Sequence, residues 1–461
     1  MPELLDQIRA IVGEKNILSG DQLSGRSAGY WRGGDLQALA LVRPATTEEV
    51  SRILVLCNEA SQSVVAVGGA TGLAEAHQTD ETEIALSLER MTAIEPVDIG
   101  SRTITVEAGA ILQNVQEAAA EENLMFGLDL GARASCTIGG TIATNAGGNR
   151  VIRYGMMRDL TLGVEAVLAD GTIVSSMSGF LKNNTGYDIR QMFVGAEGTL
   201  GVITKAVLRL HEAPSSMGTA LLCIPSWDAL LKVLRKLDRA MGGGLVAFEA
   251  LWRDFYEFNT SEHAEADKPL ETETDYYVIL ETFEFGDDPD SSRLEDLLGT
   301  LIEDELVIDG LITKSEDERR RIWDIRESFE AETKLYDGSM SYDISLPQSD
   351  MENYTNRLKQ AIAIRWPDGI VYTYGHVGDG NLHYSIVNID WNAHEAVDGV
   401  VYELLKDYGG SISAEHGIGL EKKQWLGISR SEAEMNIMRG IKKTLDPKGI
   451  LNPGKLFDMN D

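Results

Sequence analysis

The sequence predicts an α+β protein whose chain falls into two differently composed parts. In the first part, short strand-like runs and helical patterns are joined by three glycine-rich segments. In the second part these segments stop, and strands of moderate length alternate with helices, which favours an antiparallel sheet backed by helices. Near the end of that part, His376 and His383 enclose a glycine-containing turn. We therefore divide the chain into a helical lead-in, a first domain, a second domain and a helical end at residues 1–37, 38–215, 216–415 and 416–461.

The composition is typical of a water-soluble globular protein and excludes some classes of partner. The 461 residues are 43% hydrophobic and 25% charged, with a formal net charge of −32. Such a charge argues against nucleic acid, because phosphate binding needs clustered Lys and Arg. No run of about 20 apolar residues predicts a membrane span, and the acidic N-terminus does not resemble a signal peptide. We expect a cytoplasmic or organelle-matrix protein, and the three scattered cysteines fit a reducing compartment.

The first domain starts with a strand, a helix and a second strand that leads into a glycine-rich loop. The strand is expected at Leu36–Val42. Thr46 and Glu49 form a capping box that starts a helix over residues 48–60. The strand Val64–Val67 then runs into the loop Gly68–Gly72. Small residues leave the N–H groups of such a loop able to point at a phosphate, although the loop is neither GxGxxG nor a P-loop.

Two further segments of the first domain are almost free of bulky side chains. Residues 127–149 read GLDLGARASCTIGGTIATNAGGN, and residues 195–204 read GAEGTLGVIT. Their backbone can approach an extended ligand closely. We expect the first of them to be a long functional loop, since structureless loops of that length are otherwise uncommon in compact domains. Between them, Val164–Ala169 and Thr172–Ser176 are predicted as strands around an Asp170-Gly171 turn.

The second domain and the end of the chain are predicted from hydrophobic periodicity. The expected strands are Ala220–Ile224, Leu245–Leu251, Tyr276–Phe283 and Tyr342–Leu346. The expected helices are Trp227–Ala240, Arg293–Glu305, Arg319–Lys334, Met351–Trp366, Ala393–Tyr408 and Glu432–Leu445.

The two histidines are expected to meet across a tight hairpin. Asp379-Gly380 is a favoured pair for a two-residue turn, which would place His376 opposite His383 with Cβ atoms about 5 Å apart. Both imidazoles could then reach one divalent metal ion, with Glu415 as a carboxylate ligand and His416 as a further imidazole. Two His and one carboxylate with open positions is typical of a catalytic metal site.

Several motifs together resemble one family. They are GGATGL, DLGARASCTIGGTIATNAGG, NNTGYD, GAEGTLGVIT, YDISLP, GHVGDGNLH, SAEHGIG and DPKGILNP. In order and spacing they resemble the FAD-linked oxidases of the vanillyl-alcohol oxidase type, in the branch of glycolate oxidase flavin subunits, D-lactate dehydrogenases and D-2-hydroxyglutarate dehydrogenases. The resemblance implies a two-subdomain FAD-binding domain of the p-cresol methylhydroxylase type, followed by an antiparallel-sheet substrate domain and a helical segment that returns to the flavin.

The resemblance also implies a cofactor site. FAD would be bound without a covalent link, because Ala70-Thr71 stands where some relatives carry the linking His. Lys455 would approach the flavin with Asn452. The implied cofactor-binding residues are Gly68, Gly69, Ala70, Thr71, Gly72, Leu73, Gly131, Ser135, Ile138, Gly139, Thr141, Asn145, Gly148, Glu197, Gly198, Gly201, Ile203 and Asn452.

By the same resemblance, the chain would oxidise a small D-2-hydroxy acid to the 2-oxo acid. His376, His383 and Glu415 would bind a divalent metal, with zinc as the expected ion. His416 would be the general base, whereas Arg326, Asn381 and Tyr342 would contact or surround the substrate. The resemblance further implies a homodimer and an electron acceptor such as electron-transferring flavoprotein or a quinone.

The substrate's far end is where the sequence departs from the hydroxyglutarate enzymes. Glu330 and Ser341 align with the Thr and Lys that help hold the second carboxylate in those enzymes. A Glu repels a carboxylate and a missing Lys removes an attraction, so D-lactate, D-malate or another acid stays as eligible as 2-hydroxyglutarate. Two other functions stay open: a metal-dependent hydrolase or lyase, and a non-catalytic flavin subunit of a glycolate oxidase-like complex.

Overall fold

The computed structural model describes residues 2–30, 34–264, 266–285, 293–328, 330–336 and 338–459. The chain forms two compact units. The first comprises Met1–Gly148, Gly155–Ala213 and Glu415–Asp461, and the second comprises Asn149–Tyr154 and Pro214–Ala414.

The described strands, in chain order, are β1 (Ile17–Leu18), β2 (Ala40–Val42), β3 (Val64–Val67), β4 (Ile84–Ser87), β5 (Thr103–Glu107), β6 (Leu124–Phe126), β7 (Thr161–Val167), β8 (Ile173–Ser176), β9 (Val202–Glu212), β10 (Ser216–Ile224), β11 (Leu245–Trp252), β12 (Tyr276–Glu284), β13 (Asp309–Ile312), β14 (Ser339–Ser345), β15 (Ile370–Gly375) and β16 (Asn381–Val387).

The described α-helices are α1 (Pro2–Val12), α2 (Thr47–Ala60), α3 (Leu112–Glu121), α4 (Ile138–Thr144), α5 (Val151–Tyr154), α6 (Met157–Leu160), α7 (Trp227–Met241), α8 (Arg253–Asn259), α9 (Arg293–Glu303), α10 (Glu316–Glu327), α11 (Glu330–Leu335), α12 (Met351–Arg365), α13 (His394–Leu405), α14 (Leu426–Ser429) and α15 (Glu432–Leu445). Within the described residues, none of these helices combines the length and the apolar run that crossing a bilayer requires.

The described residues of the first unit form two sheets. Four strands follow the order β1-β2-β4-β3, in which β4 runs parallel to both β2 and β3. The other sheet has the order β5-β9-β7-β8, with β6 also paired to β9, and all of its pairs are antiparallel. The end of the chain joins the first sheet, since Leu451 forms a parallel bridge with Val64 on β3. The C-terminal segment is therefore part of the first unit's framework.

The second unit is built on one seven-stranded sheet. Its order is β13-β10-β12-β11-β15-β16-β14, and every neighbouring pair is antiparallel. β11 and β16 are buried at every residue. The side chains of a strand alternate between the two faces of a sheet. The position of each polar residue in these strands therefore decides which face its side chain lies on. The predicted antiparallel sheet with accompanying helices is confirmed.

Side chains cap the first turns of several helices. At α2, Oγ1 of Thr46 accepts the N–H of Glu49, while the Glu49 carboxylate accepts the N–H of Ala45. At α15, Ser431 and Glu434 form a complete capping box, and this helix has the predicted bounds. Each cap satisfies N–H groups that the first turn of a helix leaves unpaired.

Several predicted elements differ from the structure by up to four residues at one end, and one predicted helix is divided. The single helix expected over Arg319–Lys334 is two helices, α10 and α11, and α10 starts at Glu316 because Ser315 caps it. The strand expected at Leu36–Val42 covers only Ala40–Val42. The errors at element ends arise where periodicity carries less information than the capping side chain.

Candidate active site

Two glycine-rich segments of the first unit are in direct backbone contact. A Cβ atom on Gly69 would lie 2.1 Å from the carbonyl oxygen of Ser135, and one on Gly68 would lie 2.6 Å from Oγ1 of Thr137. Neither position has room for a side chain, so the loop after β3 packs against the chain that enters α4. Ala70 has φ +54, a left-handed conformation that L-residues with a Cβ rarely adopt.

The segment 127–149 is not the continuous loop that the sequence predicts. It contains α4, whose first turn is capped by Thr137, because Oγ1 of Thr137 accepts the N–H of Gly140. Small residues do not prevent a short helix when one face packs on neighbours, and a Cβ on Gly139 would lie only 2.7 Å from the Cβ of Ala108. Of the predicted cofactor-binding residues, Ile138, Gly139 and Thr141 lie in α4, Gly131 and Ser135 before it, and Asn145 and Gly148 after it.

Glu197 joins the third glycine-rich segment to the C-terminal part of the first unit. Its carboxylate accepts the N–H groups of Ile418 at 2.7 Å and Gly419 at 2.8 Å. The side chain is 4% exposed. Burial raises the pKa of the Glu197 carboxyl to about 7, although the two N–H groups and the charge of Lys422 oppose the rise. Gly198, Gly201 and Ile203 follow on the same segment, with Ile203 buried in β9.

Asn452 ties the end of the chain to the same region. Its Oδ1 accepts the N–H of Ala66 at 2.9 Å, and its Nδ2 donates to the carbonyl of Glu197 at 2.8 Å. Lys442 supports this segment from α15, since its buried Nζ donates to the carbonyls of Thr199 and Leu451, each at 2.7 Å. Sequence reasoning missed Lys442, whose contacts join residues far apart in the chain.

These observations fit an extended cofactor bound by backbone. Gly69, Ala70, Thr71, Gly72 and Leu73 are half-buried although β3 before them begins with buried residues. All of them except Leu73 have small side chains, and the close approach of Gly68 to Thr137 and of Gly69 to Ser135 fixes the path of the loop. Successive N–H groups in such a turn make a concave site for anions.

In the second unit, a buried carboxylate joins two of the predicted site residues. Glu249 on β11 is completely buried. Its Oε1 is hydrogen-bonded to Nδ1 of His376, and its Oε2 accepts Nε–H of Arg326 at 3.0 Å. Burial alone would raise the pKa of the Glu249 carboxyl, but His376 and Arg326 outweigh burial and hold that pKa below its usual range. The cluster thus places three charge-bearing groups in contact away from water.

Sequence reasoning did not identify Glu249, although a signal is present. β11 reads LVAFEALW, and Glu249 is its one charged residue between buried apolar neighbours. A charge inside an apolar strand needs a partner, so the strand pattern alone is enough to make such a Glu a candidate site residue.

Arg326 has a fixed orientation. Its guanidinium carbon lies 4.4 Å from the centre of the Tyr374 ring, and the contact with Glu249 holds Nε. The side chain is 8% exposed. Arg326 is therefore a buried residue, although its helix α10 is rich in charged side chains.

The two histidines are close, but the predicted hairpin is wrong. His383 is opposite Tyr374 in the ladder, not opposite His376. The connection is a 3₁₀ turn over Val377–Asp379, and of the two central residues only Gly380 has a positive φ, +90. A turn with two positive φ angles is thus absent here, yet the ring centres of His376 and His383 lie 5.2 Å apart.

Asp343 is a second carboxylate that sequence reasoning did not single out. It is fully buried on β14 directly opposite His383. Its Oδ1 accepts Nδ2 of Asn381 at 2.9 Å, and its Oδ2 accepts the N–H of Ala414 at 3.0 Å. Asn381, a predicted catalytic residue, therefore contacts Asp343, and its Nδ2 also donates to the carbonyl of Ile344.

Possible metal ligands lie in each unit. In the second unit His383 is opposite Asp343, and in the first unit Nε2 of His416 lies 3.8 Å from Oε1 of Glu415. His383 and Glu415 are two of the predicted ligands.

Tyr342, a predicted catalytic residue, faces away from the Asp343–His383 pair. It is opposite Tyr384 on β14, on the other face from Asp343. Its hydroxyl donates to Oδ1 of Asp398 on α13 at 2.7 Å. The alternation of a strand accounts for the difference, because neighbouring residues face opposite sides.

Two family profiles match the chain. One is described as "FAD linked oxidases, C-terminal domain" and matches residues 213–456, and the other as "FAD binding domain" and matches residues 38–176. The protein named D-2-hydroxyglutarate dehydrogenase, mitochondrial, of Danio rerio is 36% identical over 462 residues, which cover 99% of this chain and 86% of that protein. A Schizosaccharomyces pombe protein, named as a candidate mitochondrial D-lactate dehydrogenase, is 38% identical over 425 residues, or 90% of this chain and 81% of that protein.

A solved structure supports the same fold. That of p-cresol methylhydroxylase with substrate bound superimposes with a TM-score of 0.75 at 18% identity, covering 100% of this chain and 97% of that one. At this identity the likeness concerns the fold.

Proposed function

The chain belongs to the family of FAD linked oxidases, and from this premise we propose that it oxidises a D-2-hydroxy acid to the 2-oxo acid with FAD as electron acceptor. The observation that carries the proposal is the similarity to a D-2-hydroxyglutarate dehydrogenase over 99% of the chain. The buried carboxylates, histidines and arginine of the second unit supply groups suited to a small anionic substrate.

The first unit would hold FAD without a covalent link. The cofactor would contact the backbone of Gly68–Leu73 and of residues 131–148, where many side chains are small. The hydrogen bonds of Asn452 to Ala66 and to Glu197 would stabilise the neighbouring segments. FAD, when bound, supplies the acceptor for the hydride from the substrate's α-carbon.

A divalent metal, with zinc as the proposed ion, would be held by His376, His383 and Glu415. The contact between Nδ1 of His376 and Glu249 supports this set, because metal-bound histidines usually donate their other ring N–H to a carboxylate. Asp343 and His416 offer further ligand atoms. The metal, when bound, lowers the pKa of the substrate hydroxyl.

His416 is the proposed general base. A neutral imidazole nitrogen takes the hydroxyl proton, and the carboxylate of Glu415, 3.8 Å from Nε2, stabilises the imidazolium that results. Arg326 is the proposed partner of the substrate's 1-carboxylate. Its planar guanidinium suits a two-pronged contact, and Glu249 and Tyr374 hold its plane in place.

The substrate tail is proposed to lack a second negative charge. Ser341 is exposed on β14 and, two residues from Asp343, lies on the same face of the strand. Relatives with a Lys at this position would attract a distal carboxylate, whereas Ser does not. The side chain of Glu330, the other departure, lies outside the described part of the chain.

The first test is anaerobic reduction of the flavin by a panel of D- and L-2-hydroxy acids. We expect bleaching of the flavin by D-acids only. The double variant Glu330→Thr with Ser341→Lys should raise kcat/KM for D-2-hydroxyglutarate about 10-fold or more, the size of one well-placed charged contact. Bleaching by L-acids alone, or by none, would reject the proposed function.

Metal removal tests the second part of the proposal. Dialysis against a chelator should leave the flavin absorbance in place and lower turnover by about 100-fold or more, and zinc should restore it. Full turnover in protein shown by elemental analysis to be metal-free would exclude the metal. The acceptor, either electron-transferring flavoprotein or a quinone, and the homodimer are proposed from the family resemblance.

A further inference from the structure

Glu332 on α11 is a buried carboxyl group with one satisfied oxygen and one orphaned oxygen. It is 2% exposed. Its Oε2 accepts a hydrogen bond from the hydroxyl of Ser385, which also contacts the hydroxyl of Ser339 at 2.6 Å. Its Oε1 is buried and has no hydrogen-bond partner among the described residues. Buried polar atoms are nearly always paired in native proteins, so an unpaired one needs an explanation.

The position of Ser385 relates Glu332 to the candidate active site. Ser385 lies two residues after His383 on β16, so both face the same side of the strand, about 7 Å apart along it. Ser385 is opposite Ser341 on β14 and opposite Tyr372 on β15. A ligand whose head lies at the Asp343–His383 pair would therefore bring a tail of two or three further carbons to the Ser341–Ser385 pair, where Ser341 is exposed.

The partners of Glu332 are hydroxyl groups rather than cations. Burial raises the pKa of the Glu332 carboxyl to about 7, and the hydroxyls of Ser385 and Ser339 only partly oppose it. A carboxylate tail beside this group would put two carboxyls together, and among the described residues the contacts of Glu332 are with hydroxyl groups only. Two like charges in contact cannot both stay ionised. A hydroxyl tail has no such conflict, because it both donates and accepts hydrogen bonds.

We propose that Glu332 is a specificity-determining residue whose Oε1 binds a hydroxyl group at the far end of the 2-hydroxy acid, with Ser385 holding the carboxyl in place. This proposal rests on the proposed function and names its substrate class: a D-2-hydroxy acid with an uncharged, hydroxylated tail.

The experiment compares three acids as reductants of the FAD-loaded protein: D-lactate, D-2,4-dihydroxybutanoate and D-2-hydroxyglutarate. The readout is the ratio of kcat/KM for the hydroxyl-tailed acid to that for the dicarboxylate. In the wild type we expect this ratio to exceed about 10, as a site with a placed polar partner discriminates strongly. Glu332→Gln should lower it about 10-fold, because the amide can donate to a carboxylate and carries no charge.

Two further variants keep the result interpretable. Ser385→Ala removes the hydroxyl that holds Glu332 and should lower the ratio in the same direction by about 3-fold. Glu281→Gln alters a buried carboxylate of the same sheet that contacts Arg319 and Trp323, and it should leave the ratio unchanged. If Glu332→Gln does not fold, Ser385→Ala decides the question.

The outcomes separate this proposal from the proposed function. If no D-acid, D-lactate included, reduces the wild-type flavin, the function fails and the subsite with it. If D-acids reduce the flavin but the wild type prefers the dicarboxylate, the function stands and the subsite is wrong. A ratio within about twofold of wild type in both Glu332→Gln and Ser385→Ala would overturn the subsite as well.

Discussion

Glu197 in the first unit and Glu249 in the second are both buried carboxylates, but their partners are of different kinds. Glu197 is held by two backbone N–H groups, those of Ile418 and Gly419. Glu249 is held by Arg326 and His376. The pKa of Glu197 is raised to about 7, whereas that of Glu249 lies below its usual range. Amide dipoles compensate only part of the desolvation cost, while a full positive charge more than compensates it.

The difference indicates different tasks for the two residues. A carboxyl that exchanges its proton near neutral pH and bonds to backbone is suited to connecting chain segments. An ionised carboxylate between an imidazole and a guanidinium fixes both rings and sets the charge of the site. Glu249 is therefore a positioning residue of the proposed active site, and Glu197 a connection between the segments of the cofactor unit.

The largest effect is expected from Glu249→Gln. This variant breaks the buried ion pair between Glu249 and Arg326, and breaking such a pair typically destabilises by about 3–5 kcal/mol. It also releases His376 and Arg326, so kcat/KM for the preferred D-acid should fall by about 100-fold or more. Steady-state kinetics and urea unfolding of the FAD-loaded protein measure both.

Glu281→Gln is the matched control for that variant. Glu281 is a buried carboxylate on β12 that accepts from Arg319 at 2.8 Å and from Nε1 of Trp323 at 2.7 Å. It should lower the free energy of unfolding but leave KM and the metal content unchanged. An equal loss of kcat/KM in the two variants would mean that Glu249 acts through stability alone.

The sequence predicts local features of this molecule well and long-range pairs poorly. The bounds of α15 and β3 are correct, because Ser431 and Glu434 mark a helix start and a run of β-branched residues marks a strand. The hairpin error at His376 has a specific cause. Asp379-Gly380 satisfies the rule for a two-residue turn, but the chain forms a longer 3₁₀ turn in which the carbonyl of His376 accepts the N–H of Asn381.

The buried carboxylates show where prediction from the sequence ends. Asp343 lies 40 residues before His383, and only the β14–β16 register brings the two together. Glu249 lies 127 residues before His376. No motif records either of these long-range pairings. The family resemblance therefore identified the histidines but not the carboxylates that contact them. A lone charge in an apolar strand is the one local signal that would have identified Glu249.

The pH dependence of stability in the Glu197→Gln variant tests the comparison between Glu197 and Glu249. A carboxyl whose pKa is raised on folding contributes stability that is present at low pH and is lost as pH rises from about 4.5 to about 7. The free energy of unfolding of wild type minus that of the variant should therefore fall by about 3 kcal/mol over this range. Urea unfolding of the FAD-loaded protein at several pH values measures it.

The same series on Glu249→Gln should give the opposite slope. The pKa of the Glu249 carboxyl is lowered on folding. The stability that Glu249 contributes is therefore present above the unfolded-state pKa and is lost as pH falls through the folded-state pKa. Slopes of the same sign for the two variants would refute the assignment of amide partners to one carboxylate and cationic partners to the other.

The smallest effect is expected at Asn452, which supports the Glu197 segment with neutral hydrogen bonds only. Asn452→Ala leaves the N–H of Ala66 and the carbonyl of Glu197 without their side-chain partner, at a cost of about 1–3 kcal/mol. Because this segment borders the proposed cofactor site, the apparent Kd for FAD should rise about 10-fold. Fluorescence titration of the apoprotein with FAD measures that change.

Asn452→Gly distinguishes the loss of the side-chain hydrogen bonds from the strain of the left-handed backbone at this position. Asn452 has φ +40, a conformation that Gly adopts freely and Ala does not. The Gly variant should lose the same hydrogen bonds yet be more stable than the Ala variant by about 1 kcal/mol. If both variants unfold at the same urea concentration as the wild type and retain FAD equally well, neither the left-handed backbone nor the amide contacts stabilise this segment, and the connection rests on Glu197 and Lys442.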